Sequence, residues 1–262
     1  MTTPHSAPPE RSVVDRTLSI LGAFDRDNRT LSLSDISRRS GLPVATVHRI
    51  VNKLHGWGAL ERSAEGGYSI GLRLWETAVL APRASTLAET AQPYLIGLQR
   101  QTGGVTTVAV RDGREAVCLT FVSSEPDPAP YDAPGRRVPL HATALGQVLL
   151  AHAGTLVQNE VCAGPLRAHT PKTVADGPTL TRCLAKVRRE GSALVHGAFR
   201  PGRGGFAVPV RDARGTVVAA VGVIGPVPLV QPAKVAGPVH AAATMISRAV
   251  RTEGARLAEP VA

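Results

Sequence analysis

The chain predicts an α+β fold in two unequal parts, and three observations carry that reading. Before residue 60, apolar residues recur at helical spacing in three short segments. Two brief strand-like segments follow around a Gly-Gly turn. Beyond residue 88, runs rich in Val and Ala alternate with helical stretches, the order of a sheet domain carrying helices. At 262 residues the chain has room for one or two domains of ~150 residues. With 43% hydrophobic and 19% charged residues, it can bury a core.

Residues 1–11 are polar and Pro-rich, with no apolar core of signal-peptide length, and read as a disordered tail. From Ser12, the residues Val14, Leu18, Leu21 and Phe24 recur at helical spacing. Ser32-Leu33-Ser34-Asp35 is a capping-box start, with a serine oxygen for the free N–H groups and an acid three residues on. The helix it opens stops at Gly41. Pro43 then suits the first turn of a longer helix, whose stripe is Val47, Ile50, Val51 and Leu54. Ala45, Thr46, His48, Arg49, Asn52 and Lys53 lie around its opposite face. Gly56 and Gly58 end it. Two short strands around Ala64-Glu65-Gly66-Gly67 form a hairpin. Helix, helix, short turn, helix and hairpin is the order of a winged helix-turn-helix, here residues 12–75. The polar face of its third helix is the one sized for a major groove.

Residues 72–87 read as a linker helix interrupted at Pro82, with the linker itself assigned to 76–87. The second domain, 88–262, opens with a helix. Two strands follow around Arg111-Asp112-Gly113-Arg114, then a Pro-rich connection. TALGQVLLAH and TLTRCLAKVRREG are helical, and a strand pair turns at Asp212-Ala213-Arg214-Gly215. A closing helix puts Val235, Val239, Ala243, Ile246 and Val250 on one face. The strands belong to one antiparallel or mixed sheet.

Composition excludes several functions. No run of ~18 apolar residues is present, so no membrane partner is expected. Three widely spaced cysteines, without CxxC or HExxH, argue against a disulfide framework, a metal site or a cofactor, and for a cytoplasmic protein with reduced thiols. The formal net charge is +10. Residues 1–80 hold 10 basic and 8 acidic residues, a surplus of +2. That leaves 20 and 12, or +8, for residues 81–262. The surplus is therefore not in the helix-turn-helix, and net charge alone does not identify a nucleic-acid binder.

The chain resembles the IclR-type bacterial transcriptional regulators over nearly its whole length. The resemblance rests on LSLSDISRRSGLPVATVHRIVNKLHGWGALERSAEGGYSIGLRL, VPLHATALGQVLLA, KVRREG and FAVPVRDARGTVVAAVGVIGP, in that order. It implies a sequence-specific DNA-binding regulator with a C-terminal GAF-like effector-binding and oligomerisation domain. It also implies dimers, or dimers of dimers, on palindromic operators. Thr46, His48 and Arg49 match the recognition-helix stretch. Arg49 is the candidate for base readout, because its planar fork bonds two acceptors on guanine. Thr46 and His48 are candidates for phosphate or base edges. Lys53 is assigned to phosphate, and Arg62, Ser63 and Tyr68 in the wing to backbone or minor groove. Arg38 and Arg39 read either as a solvated face or as backbone contacts, with Arg38 kept as a candidate. Val44 and Ala45 stand where the family commonly has a basic residue and a serine, so Ala45 offers no polar side chain to DNA.

The resemblance places the effector pocket at the helix start Thr143-Ala144-Leu145-Gly146 and on the late strands. Positions that are polar in members binding small carboxylates fall here at Val195, Gly205, Gly222 and Ile224. A two-carbon acid would find few side-chain partners among them, so a larger and more apolar effector is expected. Arg203, in the Gly-rich stretch Arg200–Gly205, is a candidate partner for a carboxylate. Two alternatives stay open: a C-terminal domain that only oligomerises, and, more remotely, an enzyme using a His/Cys site there. No nucleophile motif or P-loop supports the latter, so no catalytic residue is assigned.

Overall fold

The computed structural model describes residues 12–25, 27–124 and 134–258, without side chains at 82–84 and 253–258. The tail at 1–11 and most of the Pro-rich connection lie outside the described residues. The chain divides into two compact units, Met1–Pro82 and Arg83–Ala262.

The first unit contains α1 (Val13–Leu21), α2 (Leu33–Ser40), α3 (Val44–Trp57), β1 (Leu60–Arg62), β2 (Tyr68–Ile70) and α4 (Leu72–Ala78). Capping boxes open α1 and α2. Ser12 pairs with Asp15, and Ser32 with Asp35. The Ser32 hydroxyl donates to the Asp35 carboxylate at 2.7 Å and holds it below the ordinary carboxylate range. Ser32→Ala should therefore lower the stability of this unit by ~1 kcal/mol. Both tryptophans, Trp57 and Trp75, lie in this unit, so urea unfolding followed by their fluorescence reports it selectively.

The core joins Ile20, Ile36, Val47, Ile50, Val51, Leu60 and Tyr68. The stripe expected on α3 is buried accordingly. On α1 the expectation fails in part: Val14 and Leu18 are exposed, while Leu21 and Phe24 pack against the core that Ile20 and, just past the helix, Ala23 enter. That short helix is apolar on more than one side, and packing selects a side that periodicity marks only in part. The wing is antiparallel, pairing Leu60 with Ile70 and Arg62 with Tyr68. A bridge from Leu31 to Tyr68 ties it to the α2 entrance. Helix α4 is pinned to the same unit, with Leu72 N–H on the Glu61 carboxylate at 2.9 Å and Arg73 stacked over the Trp57 ring at 4.5 Å.

The second unit contains α5 (Pro82–Thr102), β3 (Val105–Asp112), β4 (Glu115–Val122), β5 (Arg137–Pro139), α6 (Ala144–Ala151), α7 (Thr155–Ala163), α8 (Gly177–Glu190), β6 (Ala193–His196), β7 (Arg203–Arg211), β8 (Val217–Pro226) and α9 (Pro232–Ala258). The linker break falls at residues 79–81, and Pro82 opens α5, where its missing N–H costs nothing. Helix α5 then runs unbroken through residue 88. The strands form one six-stranded sheet, ordered β5-β4-β3-β8-β7-β6, with every pair antiparallel.

Alternation along the strands splits the core in two. Phe206, Val208, Ala219, Val221 and Val223 join the side of α5 and α9. Ala109, Ala207 and Ala220 join the side of α6 and α8. Small residues dominate the second side, and they let the wholly buried α6 lie against the sheet. Helix α7 and strand β5 have no clear sequence signature. The helix buries only Val161 and leaves Leu156 exposed, so it shows no stripe.

Candidate nucleic-acid interface and effector cavity

Helix α3 presents Ala45, His48, Arg49, Asn52 and Lys53 to solvent, at spacings of three and four residues. Thr46 is half-buried on the flank of that face. His48 and Asn52 face each other at 3.3 Å. No carboxylate among the described residues pairs with Arg49 or Lys53, so neither charge is neutralised within the fold. Arg39 differs. Its guanidinium donates to the Ala23 carbonyl at 2.6 Å and pairs with Asp25, which gives it a structural task. Arg38 pairs with Asp35 at 2.7 Å within its own helix and remains largely exposed.

In the wing, Arg62 is exposed, with its guanidinium 5.7 Å from the centroid of the Tyr68 ring. The Ser63 hydroxyl accepts the Gly67 N–H and closes the hairpin. Tyr68 corrects the sequence expectation. It is 3% exposed and belongs to the core, so it supports the wing from beneath rather than reaching outward. An aromatic residue in a two-strand wing has two faces available, and this one is turned in by its backbone pairing with Leu31.

In the second unit a cavity opens where α6 begins, against the small-residue side of the sheet. About 70 Å³ is open to the centres of water-sized spheres, room for several waters. Thr143, Ala144 and Leu145 form one wall, and Val195, Gly205 and Ile224 another. Arg200 and Arg203 are its only charged side chains among the described residues. The Thr143 hydroxyl is already committed: it donates to the Pro139 carbonyl at 2.9 Å and accepts the Gly146 N–H at 3.1 Å.

The comparisons with known proteins bear on both sites at once. The family description "IclR helix-turn-helix domain" matches residues 13–64. "Bacterial transcriptional regulator IclR C-terminal" matches residues 81–248. The chain belongs to the IclR family of bacterial transcriptional regulators.

The HTH-type transcriptional regulator XynR of Escherichia coli K12 is 33% identical over 79% of this chain and 83% of its own length. The repressor AllR of Klebsiella pneumoniae is 30% identical over 84% and 82%. An IclR homologue from Microbacterium hydrocarbonoxydans, solved with 4-hydroxybenzoate, superposes with a TM-score of 0.86 at 33% identity. It covers 92% of this chain and all of that one. The chain is accordingly a DNA-binding transcriptional regulator with a C-terminal effector-binding domain. Its named relatives are regulators rather than enzymes.

Within the IclR C-terminal domain, two expected pocket residues are not on the cavity wall. Gly146 faces the backbone instead: a Cβ there would sit 2.5 Å from Leu140 Cα and 2.6 Å from its carbonyl oxygen. Gly222 lies under β7, where a Cβ would meet the Phe206 carbonyl at 2.5 Å. Both are glycines for close approach of backbone, not for ligand contact. Conversely, Cys118, Val138 and Phe199 line the cavity, as does Phe206 although its ring packs toward His240 of α9, and nothing in the sequence singled them out for it. They come from four separate segments that only the sheet brings together.

Proposed function

We propose that α3 of this IclR regulator reads the major groove. In this reading Arg49 contacts a base edge, Lys53 and Arg62 contact phosphate, and His48 and Thr46 flank them. Two or more copies occupy a palindromic operator. The effector is larger and more apolar than a two-carbon acid, with an aromatic carboxylate as the class. One observation carries the effector assignment: the cavity wall is apolar apart from the committed Thr143 hydroxyl and two arginines. A ring fits the apolar wall, and guanidinium groups suit a carboxylate bidentately. The relative solved with 4-hydroxybenzoate supports the same class.

The test is thermal unfolding of the full chain with 4-hydroxybenzoate, benzoate and glyoxylate. At a hundredfold excess over Kd, a bound aromatic carboxylate stabilises by ~2.7 kcal/mol, which raises Tm by ~5–10 °C. Selective stabilisation by glyoxylate would overturn the assignment. A flat response to every ligand would favour a domain that only oligomerises.

A further inference from the structure

A second concavity adjoins the apolar one and differs from it in chemistry. It is an open cleft of about 560 Å³. Arg114, Arg137, Arg167 and Arg200 line it, with His141 and His169. Glu115 is the one acidic side chain on its wall among the described residues. That acid is already paired, since Arg137 bridges Glu115 and Asp112.

The cations come from separate segments. Arg114, on the β3–β4 turn, lays its guanidinium over Gly164 at the end of α7, in space that any Cβ would fill. Arg167 belongs to the loop after α7. Its carbonyl accepts a hydrogen bond from His141 Nε2 at 3.0 Å, and Gln147 anchors the His141 carbonyl at 2.9 Å. His169 stacks 5.8 Å from the His141 ring and edge-on to Phe199 at 5.0 Å. Phe199 and Arg200 form the partition shared with the apolar cavity.

Like charges gathered in one cleft raise each other's energy, an effect second to burial at His169. Burial, then the neighbouring His141 and Arg167, hold the His169 imidazole below its ordinary range. Arg114 and Arg167 have no carboxylate partner among the described residues. An effector in the apolar cavity meets none of Arg114, Arg167, His141 and His169, which do not line it.

We propose that this cleft is a second ligand site, selective for a small anion with two or more negative charges, either an oligocarboxylate or a phosphate. Arg114 and Arg167 supply charge-assisted hydrogen bonds. His169 supplies a ring N–H donor, and His141, whose Nε2–H is spent on the Arg167 carbonyl, forms part of the floor. The proposal goes beyond the aromatic-effector reading and does not depend on it.

The experiment uses the full chain with citrate and, separately, inorganic phosphate, at ionic strength matched with sodium chloride. One of the two anions should raise Tm above the chloride control, and which one identifies the class. Calorimetric affinity for that anion should fall at least tenfold in the double variant Arg114→Ala, Arg167→Ala. Neither residue lines the apolar cavity, so the 4-hydroxybenzoate response should survive in that variant, and loss of one response without the other separates the two readings. In the wild-type chain, the NMR titration midpoint of His169 should rise when the anion is bound. That measurement decides the matter alone if the double variant does not fold. Equal affinity in the double variant, no effect beyond chloride, or an unmoved His169 midpoint overturns the proposal.

Discussion

Arg49→Ala is expected to weaken operator binding by ~30-fold to ~10⁴-fold at fixed salt. A bidentate arginine–guanine pair contributes ~1–3 kcal/mol of discrimination. A palindromic operator presents two half-sites, so ~2–6 kcal/mol is at stake. The side chain is exposed on the solvent face of α3, and no acid among the described residues competes for it. Its removal should leave folding intact, because the core of this unit draws on Val47, Ile50 and Val51 from the other side of the helix. Anisotropy titrations against operator and scrambled duplexes separate the roles. Arg49→Ala should lose preference at one base position per half-site. Lys53→Ala should weaken both duplexes alike and reduce the salt slope by about one per protomer. Arg38→Ala should do little, because that guanidinium is paired with Asp35. An Arg49→Ala protein that keeps both affinity and preference would remove α3 from base recognition.

The helix-turn-helix was legible in the sequence because its signals are local. The Ser32 capping box, the Gly41 stop and the α3 stripe each act within one or two turns of chain; the structure contains them, with Leu54 of the stripe only partly buried. Tyr68 was misjudged because its burial depends on Leu31, a residue distant in sequence that closes over the wing. The apolar cavity was legible at Thr143–Leu145, where a local motif marks it, and at Val195, Arg203, Gly205 and Ile224 through the family resemblance. Its remaining wall is non-local, assembled from β4, β5, β6, β7 and β8, and no spacing rule connects Cys118 to Phe206. Glycines were the hardest to assign. A glycine for close packing and a glycine beside a ligand look identical in a sequence, and only the surrounding atoms tell Gly205 from Gly222.

The charge balance had a similar ambiguity. The surplus of +8 in residues 81–262 looked unrelated to DNA, and composition alone gave it no role. Four of those arginines meet in one cleft, from a turn, a strand, a loop and the segment before β7. Convergence from unrelated segments is what a solvated, randomly spread surplus would lack.

Gly146→Ala should be among the most damaging single-methyl changes in the second unit. On propensity alone it would help, since alanine is favoured over glycine within a helix by ~1 kcal/mol. Local geometry reverses the sign. The added carbon would lie 2.5 Å from Leu140 Cα, 2.6 Å from the Leu140 carbonyl oxygen and 2.7 Å from that of Pro139. All three are backbone atoms and cannot rotate away. Helix α6 is buried along its whole length, so it has no open side to retreat toward. Overpacking of this kind costs ~1–3 kcal/mol and sometimes more; with the propensity gain already offset, a net loss of ~2 kcal/mol lowers Tm by ~4–8 °C. Gly97→Ala is the matched control, because it too is helical but has nothing within 4 Å of its Cβ position. It should raise stability by up to ~1 kcal/mol. Far-UV dichroism is the readout, since both tryptophans belong to the other unit. The same displacement would move Thr143, Ala144 and Leu145, so the 4-hydroxybenzoate response should weaken in Gly146→Ala and persist in Gly97→Ala. If Gly146→Ala melts at or above the wild-type temperature, the close approach of α6 to the exit of β5 is not what fixes the cavity.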